Sequence, residues 1–296
     1  PQALRELSKM DGGLVVSSDH ERITAAAVHF VPDGNLPTME TGTRHRTGDR
    51  LSQQTGAPVV VVSASMSVMS LFLNGRRYPI ERPEQLLARA NQALATLSSY
   101  RARLVEEADN LTMLEVRDQV QVRDVAAVAQ RVEMWRRIDA EVRGYVSALG
   151  VEGRLVQLQR NELSLGVEDL GRLLTEDYRP DSVAPGEFSL SGLQKLPWED
   201  LLDVAKVAGA IDLDPVEHPL DAPMQPRGHR QLASITDLSS RAIQAIIDHF
   251  SNLQTLVSAS TSELGDVKGV GLKRAREIRQ GLESIFENDQ RTHHFH

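Results

Sequence analysis

Between Thr41 and Thr47 the chain reads Thr-Gly-Thr-Arg-His-Arg-Thr. Two guanidinium forks match the oxygens of a phosphate two at a time. Hydroxyls on Thr43 and Thr47, and loop amides, add further donors. The segment is expected in a loop directly before a short helix over 47–55, where the positive end of a helix favours an anion. Arg44, His45, Arg46 and their neighbours therefore point to phosphate chemistry. Residue types alone leave a solvated basic turn open, with Glu40 and Asp49 near enough to neutralise it.

Asp11-Gly12-Gly13 precedes an apolar run at Leu14. A carboxylate beside two glycines suits a metal ion or the close approach of a sugar hydroxyl, because glycine lets backbone and ligand come together. A plain turn into a strand is the alternative. Ser63 ends the run Val59 to Val62, and ligands often sit at the carboxyl ends of strands; a turn hydroxyl is again the alternative. The phosphate-binding GxxxxGK[ST], a strand-to-helix GxGxxG, HExxH and GxSxG are all absent.

Near the C-terminus, Leu264 to Ala275 carries Lys268, Gly269, Gly271, Lys273 and Arg274. Two helices joined by a turn with two glycines would expose amides at the start of the second helix, and Arg276 and Arg279 add charge. Such a turn holds a nucleic-acid backbone without reading bases. A tight turn with solvated basic residues remains possible. Leu232 to Leu256 repeats the apolar frame, but Thr236-Asp237-Leu238-Ser239 lacks the glycines, and this copy is expected to be structural.

The elements that position these groups fall in three stretches. Residues 1–82 are α/β: strands near Leu14, Ile23 to Phe30, a buried strand at Val59 to Ser63, then Val68 to Leu73, Asn74-Gly75 and Arg76 to Ile80, a strong hairpin signal. Residues 83–222 are helical. Leu86, Leu87, Ala90, Leu94 and Leu97 lie at helical spacing in Glu84 to Glu107, and Leu111 to Leu149 is expected as one long helix. Leu155 to Leu174 is broken by Gly166. Pro180 to Pro185 and the proline-rich Asp212 to Arg227 are expected to be linkers. Residues 223–290 are short helices. His29, His249, Trp135 and Trp198 are taken as packing or surface residues, and Arg136-Arg137 as a solvated face.

The 296 residues are 41% hydrophobic and 25% charged, as in a soluble globular protein. No apolar run is long enough to span a membrane. The absence of cysteine excludes disulfides and thiolate chemistry and fits a reducing cytosol. The net charge of −8 excludes a basic signature over the whole protein. It is uneven: from Pro223 onward nine basic residues face eight acidic ones, a net +1, which leaves −9 on the rest. The chain opens on Pro1, and further residues upstream are expected. The histidines in 293–296 are given no metal role.

Thr41 to Arg46, the Asp11-Gly12 pair, the helical stretches Asn91 to Leu97 and Val122-Arg123-Asp124, and the terminal hairpin together resemble the DisA family of diadenylate cyclases. That family usually carries Asp-Gly-Ala where this chain has Asp-Gly-Gly. The resemblance implies an α/β cyclase domain with a mixed sheet, an all-α spine and a C-terminal helix-hairpin-helix domain. It implies condensation of two ATP into cyclic di-AMP with Mg2+ or Mn2+, in an octamer whose cyclase domains meet face to face. It also implies that branched DNA, such as a Holliday junction, binds the hairpin domain and suppresses the reaction, in a cytoplasmic, nucleoid-associated protein. Asp11 would bind the metal and activate the ribose 3′-hydroxyl. Arg44, His45 and Thr47 would hold the triphosphate, with Thr43 and Ser63 as further donors. Arg46 would serve the nucleotide, the fold or the facing subunit. Gly12 and Gly13 would let the nucleotide lie close, and Phe30 would pack on adenine. A junction-binding protein that senses ATP without turnover is the alternative.

Overall fold

The computed structural model describes residues 6–7, 11–63, 68–213, 219–235 and 238–292. The chain divides into two compact units, one ending at Leu86 and the other starting at Leu87.

In the first unit β1 (Gly13–Val16) pairs antiparallel with β2 (Ile23–Val28). Helix α1 (Thr43–Thr55) follows, then β3 (Val59–Ser63), β4 (Val68–Leu73) and β5 (Arg76–Ile80), an antiparallel sheet in the order β3-β4-β5. Leu73 pairs with Arg76 across Asn74 and Gly75, whose φ values of 49° and 70° make the two-residue turn that matches strand twist. Two expectations change here. Helix α1 begins at Thr43 rather than Thr47, because Gly42 adopts φ 87° and its carbonyl accepts the Arg46 amide at 3.1 Å, closing a turn early. The valine run of β3 is half-buried rather than buried. Val61 and Ser63 face inward while Val60 and Val62 are 55% and 58% exposed, because α1 covers one face and the side chains alternate.

Gly48 sets how closely α1 approaches the sheet, since a Cβ there would collide with Val61 and press on Phe72. The segment before α1 is strapped along it. The Asp33 amide donates to Gln54 at 2.9 Å, Arg50 to the Leu36 carbonyl at 2.9 Å, and Gln53 to the Pro37 carbonyl at 3.2 Å.

The second unit is helical. Helix α2 (Pro83–Val116) buries Leu97, Leu104 and Leu111, seven residues apart, and α3 (Val122–Leu149) buries Val125, Val128, Trp135 and Val142. The single helix expected from Leu111 to Leu149 is therefore interrupted. Asp118 takes φ 55°, and Gln121 starts α3 through a reciprocal cap in which its amide donates to Asp124 at 2.8 Å. After a 3-10 turn (Gly150–Gly153) come α4 (Arg154–Ser164) and α5 (Val167–Tyr178), separated at Gly166 as expected. Helix α6 (Val204–Ala210) packs on α3.

The described part of the proline-rich stretch is not a free linker. The amides of Val122 and Arg123 donate to the carbonyls of Ala222 and Leu220, each at 3.0 Å, and the Met224 amide donates to Val120 at 2.8 Å. Helix α3 has amides without intrahelical partners in its first turn, and this strap supplies their acceptors. Pro215 lies outside the described residues, as do His293, His294 and His296. Arg136 and Arg137 are not a solvated face either. Both grip the buried Glu133, and Arg137 also donates to the Leu193 and Leu196 carbonyls and lies 5.6 Å from the Trp198 ring. Burial works against the charge of Glu133, yet the hydrogen bonds from the two arginines hold its carboxyl below the ordinary value.

Five helices close the unit: α7 (His229–Ser234), α8 (Ser240–Phe250), α9 (Leu253–Ser258), α10 (Thr261–Asp266) and α11 (Gly271–Thr292). Leu232, Ile246, Leu253, Leu264, Ala275 and Ile278 are fully buried in one core beneath them. No described helix is long and apolar enough to cross a membrane.

Candidate functional site

The first turn of α1 sorts the Thr-Arg-His-Arg-Thr segment by helical geometry. His45, Gly48, Asp49 and Ser52 recur every three or four residues and form the inner face. Thr43, Arg44 and Arg46 are exposed, and Thr47 is half-buried. No side chain caps the helix at Gly42, so the leading amides of α1 remain open to an acceptor. Arg44 and Arg46 have no ion-pair partner among the described residues. Both acids that could have neutralised them are engaged elsewhere: Glu40 pairs with Arg77 at 3.0 Å, and buried Asp49 accepts from Gln53 at 2.9 Å. The basic turn thus has two arginines without ion-pair partners among the described residues beside the uncapped start of α1, the kind of arrangement that favours an anion.

His45 is placed otherwise than expected. The residue is 3% exposed and its ring meets Phe72 edge-on at 6.1 Å between centroids, so it faces the core of the unit. Its buried Nε2 has no hydrogen-bond partner. Helical periodicity is the reason, since His45 stands three and four residues before Gly48 and Asp49 and shares the face that α1 turns to the sheet.

Helix α1 returns to β3 through the short Gly56–Pro58 connection and so runs antiparallel to it. Helix α1 packs on β3 with Gly48 against Val61, two residues before buried Ser63. Asp11 is exposed and forms no ion pair or hydrogen bond with a described residue, Thr43 to Thr47 and Ser63 included. Gly12 takes φ 97°, and a Cβ there would come 2.7 Å from the Ala27 carbonyl carbon, so the backbone crosses β2 as only glycine allows. Phe30 lies against Gly13, where a Cβ would collide with its ring. Gly12, Gly13 and Phe30 form one packed corner, with Asp11 at its edge. A cavity of about 370 Å³ lies farther along α1, lined by Met39, Glu40, Asp49, Phe72 and Arg77 among others, and none of the residues predicted for the site lines it.

In the second unit α10 and α11 are joined by a turn over 267–270. Gly269 and Gly271 take φ 93° and 67°, a backbone that a side chain at either position would strain. Lys268 is exposed, and Lys273 is 92% exposed beside Glu277 at 3.9 Å. Arg274 donates to the Gly269 carbonyl at 3.1 Å and so clamps the turn it flanks. Arg279, expected around this turn, reaches the Val257 and Ala259 carbonyls instead, each at 2.9 Å.

A buried polar cluster was not anticipated. Glu115, at the end of α2, accepts from Tyr178 at 2.6 Å, from Arg230 at 2.7 Å and from Gln231. Asp177 accepts the amides of Gly228, His229 and Arg230 at 2.7, 2.6 and 2.9 Å. Together they fasten α7, the first of the C-terminal helices, to α2 and α5. One sequence signal was available: Glu115 continues the stripe Leu97, Leu104, Leu111 four residues on, where a charge has no solvent.

Comparison with known proteins agrees with this division. Residues 1–77 match the model described as the nucleotide-binding region of the DisA bacterial checkpoint controller, and residues 80–218 match its linker region. The DNA integrity scanning protein DisA of Cutibacterium acnes is 87% identical over 294 residues, covering 99% of this chain and 86% of that protein. The chain belongs to the DisA family. The DisA proteins of Parafrankia sp. and Streptomyces coelicolor are 46% and 47% identical, over 96% of this chain and 80% and 77% of theirs. The first turn of α1 and the Asp11 corner thus belong to the region that matches the nucleotide-binding model of the DisA family. Helices α2 to α6 fall in its linker region, and the strap follows directly after it.

Proposed function

We propose that the chain is a diadenylate cyclase that joins two ATP molecules into cyclic di-AMP with release of two pyrophosphates, and that branched DNA bound by the C-terminal helices lowers this activity. The observation that carries the cyclase reading is the first turn of α1, with open amides and two arginines whose neighbouring acids are engaged elsewhere. It supports a site built for a polyphosphate, and it lies in the region matched by the family's nucleotide-binding model.

Arg44, Arg46, Thr43 and Thr47 hold the triphosphate against the helix start, and Ser63 adds a hydroxyl at the end of β3. His45 shapes the turn from behind, packed on Phe72. Asp11 takes the proton of a ribose 3′-hydroxyl as that oxygen attacks the α-phosphorus of the second ATP and the bond to the β-phosphate oxygen breaks. The reverse attack closes the ring, so two chains present their sites to each other, in the octamer that the family resemblance implies. Placement and charge supply most of the rate. Mg2+ or Mn2+ fits Asp11, an exposed carboxylate with no partner, because such ions need one protein carboxylate beside the substrate's phosphates. When bound, the ion neutralises charge on the phosphates.

The turn over 267–270, with Lys268, Lys273 and Arg274 around Gly269 and Gly271, supports a helix-hairpin-helix contact with a DNA backbone.

The test is incubation of the purified chain with ATP and Mg2+ or Mn2+, with and without a four-way DNA junction, with products separated by chromatography. Cyclic di-AMP that falls when the junction is added is expected. ATP binding without product in either metal would leave a junction-binding protein that senses the nucleotide.

A further inference from the structure

Helix α4 has two unlike faces. Its inner face is docked: Val156 is buried, and Arg160 holds the buried Asp139 of α3 through two hydrogen bonds of 2.6 and 2.9 Å. Its outer face is apolar and open. Val151, on the turn before the helix, is 90% exposed, Leu155 72%, Leu158 54%, and Leu165, just past the helix end, 62%. At 100° per residue, Leu155, Leu158, Glu162 and Leu165 fall within an arc of roughly 80°. Single exposed leucines need no explanation, but three leucines aligned along one face, continued by exposed Val151 on the preceding turn, do.

The order of residues on this face is symmetric. Val151 and Leu165 each stand seven residues from Leu158, and Arg154 and Glu162 each stand four residues from it. Arg154 and Glu162 are both exposed and have no ion-pair partner among the described residues. We propose that α4 pairs antiparallel with α4 of a second copy of this chain, about a two-fold axis at Leu158. Leu158 then meets Leu158 of the second copy. Each Val151 covers the opposite Leu165, and each Arg154 faces the opposite Glu162. A parallel pairing would set Arg154 on Arg154 and Glu162 on Glu162, so charge selects the antiparallel, self-complementary contact.

The face is smaller than the ~800 Å² per partner of a standard stable interface. The contact is therefore a weak one, populated at micromolar chain concentration or inside a larger assembly. It does not depend on the reading of the first unit.

The absence of cysteine makes the test direct, because one introduced cysteine is the only thiol. Full-length Leu158→Cys, oxidised at micromolar concentration, is expected to give a disulfide-linked dimer at several times the yield of Glu141→Cys, an exposed position on α3. Val151→Cys alone is expected to link poorly, because its two copies would lie roughly 21 Å apart along the pair. A mixture of Val151→Cys with Leu165→Cys should link well. In the Leu158→Cys background, Arg154→Glu should lower the yield severalfold, and adding Glu162→Arg should restore it. Leu158→Cys linking no better than Glu141→Cys would overturn the proposal, as would Val151→Cys linking to itself as well as Leu158→Cys does.

Discussion

The carboxylate of Glu115 and the guanidinium of Arg230 meet at 2.7 Å in the interior, 115 residues apart in the chain. Arg230 also donates to the Ala108 carbonyl at 2.9 Å, and Gln254 donates to the Glu115 carbonyl at 2.9 Å. The end of α2 is therefore held by side chains of α7 and α9. A load applied to the C-terminal helices reaches α2 through charged hydrogen bonds rather than through apolar packing alone.

Stability should depend on pH through this cluster. Burial pushes the Glu115 carboxyl up to about 7; the Arg230 charge opposes this, the Asp177 charge adds to it, and the Tyr178 hydrogen bond opposes it. The folded chain then binds this proton more tightly than the unfolded chain, whose carboxyl titrates near 4.5. The contribution is complete below pH 4.5 and is lost as pH rises through 7. Denaturant melts from pH 4.5 to 8 should show wild type losing stability relative to Glu115→Gln, by roughly 1.4 kcal/mol for each tenfold difference in proton affinity between the folded and unfolded chain. Parallel curves for the two proteins would reject this account.

Asp177 accepts three consecutive amides at the start of α7, and it is fully buried. Asp177→Ala should cost about 3 kcal/mol, because the amides lose a charged acceptor where water cannot replace it. Asp177→Asn should cost less. Chemical denaturation checks both, and an alanine variant within 0.5 kcal/mol of wild type, roughly the spread of neutral surface changes, would show that α7 is held otherwise.

Gly48→Val should destabilise the first unit by about 1–3 kcal/mol, since the added side chain meets Val61 and Phe72 with no room to yield. Thermal melting of the variant is the measurement, and Gly144→Ala, in open space on α3, is the control.

Asp11→Asn should lower cyclic di-AMP formation by about 100-fold or more, as expected on losing a general base, without changing the melting temperature. Asp11 supports no other described group, so near-normal turnover would remove it from the chemistry.

Replacing Lys268, Lys273 and Arg274 together by alanine should weaken junction binding and flatten its dependence on salt, by about 0.9 in slope for each phosphate no longer neutralised. Titrations at several salt concentrations measure this. An unchanged slope would place the DNA elsewhere.

Local pattern carried much of this protein. Asn74-Gly75 specified its hairpin because only positive φ at both residues matches strand twist, and Gly166 and Gly271 marked helix boundaries for the same local reason. The exposed hydroxyl and guanidinium groups of Thr43, Arg44 and Arg46, on which the proposed phosphate site rests, were legible because they are adjacent in sequence. The orientation of His45 required knowing where α1 begins, and one glycine carbonyl at Gly42 moved that start by a turn. The break between α2 and α3 was hidden because Leu111, Val122 and Val125 sustain one apolar stripe across it. The strap over 219–227 and the cluster of Glu115, Asp177 and Arg230 were beyond reach for a single reason. Their partners are brought together only when helices distant in sequence pack, and proline-rich backbone or a charge inside an apolar stripe does not name the group that will satisfy it.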